Sequence, residues 1–525
     1  MPLKSPFTLR KYNMALFRFY NHLIIASAIF GGIASASAAE VGKLSFCPDN
    51  FNEASLTMPT GETVKYKAYE NIFYVTNIED SVYQTLNLYV PENLKSGDST
   101  PVFLRTYIGG YMASAAKTPS PSDATGRALK EGYVVCIPGS RGANSTVTSN
   151  GKTVYTGIAP NGLLDLKAAI RYLRYNDTSI PGSSERIIID GTSAGGAMSA
   201  LVGATGDRPE YDEYLLKMGA AQSSDKVFAS VCYCPITDLN HADMEYEWLY
   251  GCTNSGVRHL NADQAAISNE LAAECPAYIN SLNLKDNEGN PITADNYKEY
   301  LKTFLIASAH KALEEGCEIP DTIGIIRYAE RPDFGDRPAR AGKDNRDRRG
   351  APSFGPAGMR PRINNNTDFV TGIDLNKYLS YVASVTPLKT PPAFDQYGVL
   401  IDVPTPENNV FGNSEGNPAN FTEFSLRHRL HDSKASLSED MVRRVFIMNP
   451  MNFISENATS VAPHWFIRHG AKDRDTSFLV PINLATKLKN SGFDVNFFLP
   501  WNRPHSGDYN LDDLFGWIDS ITDNE

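Results

Sequence analysis

Arg186-Ile187-Ile188-Ile189-Asp190-Gly191-Thr192-Ser193-Ala194-Gly195-Gly196 is the stretch on which the fold turns. Its first half is a short, nearly continuous apolar run, as expected of a parallel strand buried on both faces. Its second half matches G-x-S-x-G, with a strand before it and a helix opening after it. In such a tight turn Gly191 and Gly195 remove side chains that would collide, and Ser193 is held with its Oγ exposed above the sheet. The helix that begins at Ala194 aims unsatisfied N–H groups, and the positive end of its dipole, at the same place. The motif alone occurs often by chance; with the flanking strand and helix it makes Ser193 a candidate nucleophile.

Strands and helices alternate on either side of this turn. Pro101 to Thr106 is a strand running into Gly109-Gly110, and Tyr133 to Ile137 is another, ending in Pro138-Gly139. A helix with one apolar face follows over Leu163 to Tyr175. Upstream, Thr63 to Tyr66, Ile72 to Val75 and Leu86 to Val90 carry strand-forming residues between turn signals. A further strand is expected at Phe228 to Cys234. The rhythm then breaks, with helical stretches such as Asp263 to Glu274 and Tyr297 to Leu313. It resumes at His464 to Arg468 and Val495 to Leu499, with helices at Pro481 to Asn490 and Leu511 to Ile521. The pattern predicts a doubly wound, mostly parallel α/β sheet, built from 40–238 and 433–525, with a large cap (lid) domain inserted over 239–432. Within the cap, 331–362 is rich in Arg, Asp, Gly and Pro without periodic apolar residues, and is expected to be a mobile loop.

A chain of 525 residues is too long for one small core, which agrees with an inserted domain. Its 42% hydrophobic and 21% charged residues are those of an ordinary globular protein. A net charge of −11 argues against nucleic acid or an anionic membrane as partner. Residues 1–39 read as a cleaved export signal, with Arg10, Lys11 and Arg18 before the apolar Leu23 to Ile33. Small-x-small cleavage sites follow near Ala38 and Ala39. The apolar run is shorter than the roughly 20 residues of a membrane span, so a secreted or periplasmic protein without a stable membrane anchor is expected. Seven cysteines, an odd number, leave at least one unpaired. Cys232 and Cys234 read as buried free thiols on one strand face, and Cys252 and Cys275 as a pair able to close a loop.

A serine hydroxyl needs a base, and the base needs an orienting group. Of nine histidines, His22 lies in the leader, and His241, His259, His310, His428 and His431 lie in or beside the cap. His464 and His469 flank a strand. His505 sits in a Pro/Gly-containing loop after the last strand, where the base belongs in the order Ser…Asp…His. The acid should follow the preceding strand, where Asp473 and Asp475 are both available and spacing does not choose between them. For an oxyanion, the Ala194 N–H needs a second donor, and the loop Tyr107 to Tyr111, with Gly109 and Gly110, lies in the right place.

Further stretches carry a resemblance. They are Cys234 to Asp243, Glu247-Trp248, Lys389 to Asp395, Glu407 to Gly412 and Arg468 to Ser477. Together with the turn at Ser193 they closely resemble bacterial tannases (tannin acyl hydrolases), of the α/β-hydrolase superfamily, over essentially the whole mature chain. The resemblance implies cleavage of gallate esters with Ser193, Asp473 and His505 as the triad. It further implies that Lys389, Glu407 and Asp475 hold the galloyl hydroxyls. Fungal-type tannases and their feruloyl-esterase relatives carry cysteines just before the nucleophile and just after the base; here those positions are Thr192 and Ser506. The arginine-rich stretch 331–362 matches no family feature. The partner expected is a small-molecule or polyphenol ester, with neither metal nor organic cofactor.

Overall fold

A computed structural model describes residues 44–95, 99–253, 256–328 and 369–522. The leader 1–39 and the stretch 331–362 lie outside the described residues. Nine strands form one sheet: β1 (Asn52–Thr57), β2 (Thr63–Phe73), β3 (Thr85–Pro91), β4 (Pro101–Arg105), β5 (Val134–Pro138), β6 (Ser183–Thr192), β7 (Ala229–Tyr233), β8 (His464–Arg468) and β9 (Asp494–Phe498). Their order is β1-β2-β3-β5-β4-β6-β7-β8-β9. From β5 to β9 the neighbours are parallel, and β1, β2 and β3 extend the sheet antiparallel. This is the mostly parallel, doubly wound sheet that the alternation predicts. The segment Thr63 to Tyr66 and the start of Ile72 to Val75 fall in one strand, which has a register shift between Tyr69 and Ile72 and ends at Phe73, leaving Val75 as an isolated bridge to Ala220.

Ile187, Ile188 and Ile189 in β6 are fully buried, because helices cover both faces. On one face Ala128, Leu129, Leu514 and Phe515 pack with Phe103, Val135, Ile188 and Phe466 in one apolar cluster. On the other lies the helix Ala194–Ala204, where Gly203 presses on Ser230 and Trp465. Strands β5 and β6 lie on opposite sides of β4, so the winding reverses there. The crevice beyond the carboxyl ends of β4 and β6 is where open α/β sheets place their ligands.

Strands β7 and β8 are adjacent and parallel, with Val231 opposite Phe466, although the 230 residues 234–463 separate Tyr233 from His464. That segment leaves the sheet at the carboxyl end of β7, beside the end of β6, where Thr192 pairs with Tyr233. Its described part includes helices Leu239–Tyr250, Ala262–Ser281, Tyr297–Glu314 and Leu375–Val385, and a two-stranded ribbon, Ile325–Tyr328 with Phe369–Ile373. The second helix runs through Pro276, well past the Glu274 end read from the sequence. Ile267, Leu271, Cys275 and Ile279, spaced by fours, bury one continuous face, and that packing outweighs the ~3 kcal/mol an internal proline costs.

The alternation expected to reach Cys234 stops at Tyr233, and Cys234 takes a φ of 45°. All seven cysteines are free, Cys252 exposed and Cys275 buried, so the pair that might have closed a loop is not bridged. Among the described residues no helix is long and apolar enough to cross a membrane.

Candidate active site

Ser193 caps the helix Ala194–Ala204 with φ 62° and ψ −125°, a strained backbone state of the kind found at functional turns. Its amide donates to Tyr233 O at 2.8 Å and its carbonyl accepts from Ala197 N at 2.9 Å. A Cβ on Gly191 would lie 2.3 Å from Gly195 O, and one on Gly195 would lie 2.8 Å from Ile108 O. Both contacts are with backbone, so the motif's glycines are steric requirements of the turn.

His505 and Asp473 reach this turn from two loops that are locked together. Gly470 packs so closely on the second loop that a Cβ would lie 2.2 Å from Arg503 O. Ala471 N donates to Pro500 O at 2.9 Å and Lys472 N to Arg503 O at 3.0 Å. The His505 loop is also tied to the sheet, since Arg105 at the end of β4 bridges Asp190 in β6 and Asp508, the latter at 2.8 Å. In consequence His505 Nε2 lies 2.8 Å from Ser193 Oγ, and His505 Nδ1 lies 2.8 Å from Asp473 Oδ2. The other acid left open by spacing, Asp475, has its Oδ2 3.8 Å from His505 Nδ1. The geometry thus gives Asp473 the hydrogen bond to the histidine and sets Asp475 beside it.

The charges in this relay are mutually adjusted. Burial opposes ionisation of Asp473, but the neighbouring His469 ring, the hydrogen bond and charge of His505 and the Asp475 N–H hold its carboxyl well below the usual range. Burial also disfavours a charged His505, yet Asp473, and then Asp475, raise it above its ordinary value against Lys389. His469 is wholly buried, with Nδ1 3.5 Å from Asp473 Oδ2. Burial first lowers its pKa, against the pull of Asp473.

Lys389 and Glu407 come from the inserted segment. Glu407 lies in the short helix Pro406–Val410, capped by Thr405 and Asn408. Asn408 donates to Asp395 at 2.7 Å, and that buried carboxylate also accepts from Asn420, Phe421 N and Thr422. Asp243 takes the Phe394 and Asp395 amides at 2.8 and 3.0 Å. The Lys389 ammonium sits 4.1 Å from the centre of the Phe394 ring. Burial lowers its pKa, against the pull of Glu407 and Asp475; burial raises that of Glu407, against Lys389. Asp475 is paired with Arg474 at 2.7 Å. Lys389 thus feels both Glu407 and Asp475, and His505 feels Asp475 and Lys389.

In the loop after β4, Gly110 and Tyr111 are both left-handed, with φ 54° and 55°. Among the described residues the N–H groups of Gly109 and Gly110 donate to no protein acceptor, and both glycines are exposed. Four other histidines have partners elsewhere: His241 stacks on Tyr278, His310 on Phe369, His428 lies 3.1 Å from Glu270 and His464 2.9 Å from Asp494. Two trios of possible metal ligands lie within 4.8 Å, Cys234 with His469 and Asp473, and Asp473 with Asp475 and His505. The second is the acid and base of the relay with the adjacent Asp475, and in the first the Cys234 thiol donates to Ser506 O.

Sequence reasoning missed Arg105, Tyr246 and Tyr250. Tyr246 Oη donates to Arg474 O at 2.9 Å and Tyr250 Oη to Asp473 O at 3.1 Å. In the sequence they are aromatic residues on a helix, the ordinary signature of core.

The family model BD-FAE, an α/β-hydrolase family, matches residues 86–279. No curated protein matches the chain. Solved structures do. The tannase of Fusobacterium nucleatum is 35% identical with a TM-score of 0.76, over 91% of this chain and 99% of that one. A tannin acyl hydrolase in complex with ethyl gallate is 33% identical with a TM-score of 0.75, over 92% of this chain and 99% of that one. The tannin acyl hydrolase of Lactobacillus plantarum is 32% identical with a TM-score of 0.74, over 91% and 99%. With the α/β-hydrolase sheet and this likeness along nine-tenths of its length, the chain belongs to the bacterial tannase family.

Proposed function

We propose that this protein is a serine esterase that hydrolyses galloyl esters, of tannins and of simple alcohols, through a galloyl-enzyme. The observation that carries the reading is the relay from Ser193 through His505 to Asp473, at 2.8 Å in both steps, opening onto a lysine and two carboxylates. His505 Nε2 takes the Ser193 proton as Oγ attacks the ester carbonyl, and Asp473 stabilises the imidazolium. The Ala194 N–H and a free amide of the Gly109-Gly110 loop hold the oxyanion. Collapse of the tetrahedral intermediate expels the alcohol, which receives the proton from His505. Water then attacks the galloyl-enzyme through the same base and regenerates Ser193.

The galloyl ring is selected by its hydroxyls. Glu407 and Asp475 accept from phenolic O–H groups and Lys389 donates to a phenolic oxygen. A ring without hydroxyls leaves Lys389 and the buried Glu407 without these partners, which costs about 1–3 kcal/mol for each. Residues 1–39 act as a cleaved export signal, so the enzyme meets its ester outside the cytoplasm; N-terminal sequencing of exported protein should begin near Ala39 or Glu40. Rapid quenching during methyl gallate turnover, followed by peptide mass analysis, tests the mechanism. The expected result is a galloyl adduct on the Ser193 peptide and no turnover by Ser193→Ala. Undiminished turnover by that variant would overturn the proposal.

A further inference from the structure

The acid loop and Lys389 belong to segments far apart in sequence, and one hydroxyl joins them. Tyr246 is fully buried. Its Oη donates to Arg474 O at 2.9 Å and accepts from Lys389 N at 3.0 Å. Arg474 O belongs to the peptide group whose N–H is that of Asp475, and this N–H donates to Asp473 Oδ1 at 2.8 Å. The Arg474–Asp475 peptide is therefore clamped at both ends, by Tyr246 at its oxygen and by the relay carboxylate at its nitrogen. On the other side, the Lys389 carbonyl accepts from Arg258 at 2.9 Å, and Arg258 is held by Glu247, one residue after Tyr246, at 2.7 and 2.8 Å. The Tyr246 ring stands edge-on to Phe394 at 6.5 Å, the ring over which the Lys389 ammonium rests.

We propose that Tyr246 is a positioning and specificity-determining residue, whose hydroxyl sets the separation of Lys389 from Asp475. Its buried hydroxyl bonds to backbone, at Arg474 O and Lys389 N. A site that recognises a polyhydroxylated ring works only if its donor and acceptor are held at the spacing of that ring's hydroxyls. Here donor and acceptor come from different segments, and the shared hydroxyl makes them move as one. Both backbone partners are lost together when it is removed, so the effect falls on ring recognition more than on ester chemistry.

This inference rests on the galloyl-ester reading, and the test separates the two. The kcat/KM ratio of methyl gallate to methyl benzoate is measured for wild type, Tyr246→Phe and Tyr250→Phe, the last losing a bond to Asp473 O alone. Tyr246→Phe should lower the ratio about tenfold, chiefly through KM for gallate, whereas Tyr250→Phe should lower both substrates together. Wild type without a gallate preference would defeat the parent reading. A wild-type preference that Tyr246→Phe leaves intact, or a loss shared equally by both esters, would overturn the role of Tyr246 alone. If Tyr246→Phe does not fold, hydrogen exchange on the wild type decides: the Lys389 and Asp475 amides should open with matching protection, and independent opening would overturn the coupling.

Discussion

Replacing Asp475 by Asn should move the acid limb of catalysis to lower pH. His505 accepts the Ser193 proton only when neutral, and Asp473 and Asp475 hold it above its ordinary value. The wild-type limb therefore lies above about 6.5. Asp475 Oδ2 is 3.8 Å from His505 Nδ1. At that distance two unit charges interact by about 4 kcal/mol at an effective dielectric near 20 and about 1 kcal/mol in bulk water. Asp475 is partly exposed, and Arg474 neutralises it at 2.7 Å, so the lower figure applies after screening. About 1 kcal/mol corresponds to about 0.7 pH unit. Because a carboxylate stabilises the imidazolium, removing it lowers the histidine pKa, and the limb shifts down by that amount. The assay is the pH dependence of Ser193 labelling by a small fluorophosphonate, which carries no galloyl hydroxyls and so ignores the loss of a substrate contact. A midpoint that stays in place or rises would refute the electrostatic reasoning.

Lys389→Met should lower kcat/KM for methyl gallate about 100-fold, as expected for loss of a charged hydrogen bond, and leave fluorophosphonate labelling at the wild-type rate on the plateau above the acid limb. Gly470→Ala drives a Cβ to 2.2 Å from Arg503 O. Such overpacking costs about 1–3 kcal/mol, and displacement of the His505 loop should appear as slower labelling together with a lower melting temperature. Arg105→Met removes the cation between Asp190 and Asp508. Asp190 is buried and is pushed up to about 7, by burial first, even with Arg105 present. Loss of the partner should cost about 3–5 kcal/mol in urea unfolding.

Ser193 and His505 were legible because their chemistry dictates local sequence: a strained turn needs Gly191 and Gly195, and the base belongs after the last strand. The sheet was legible because a strand buried on both faces must be apolar throughout, as Ile187 to Ile189 are. Between Asp473 and Asp475 the sequence is silent, since both share one loop and only the fold puts Oδ2 of Asp473 within reach of the imidazole. Arg105, Tyr246 and Tyr250 act through partners 85, 228 and 223 residues away, and nothing local distinguishes a tyrosine that bridges two loops from one that fills a core. Cys234 leaves its strand early because the chain must turn out of the sheet beside Ser193, a constraint set by the β6 neighbour.

The measurement that bears most directly on function is hydrolysis of methyl gallate beside methyl ferulate, with Ser193→Ala as control. Rapid gallate release that depends on Ser193, with little ferulate turnover, is the predicted result. Preference for ferulate, or gallate release that survives Ser193→Ala, would contradict it.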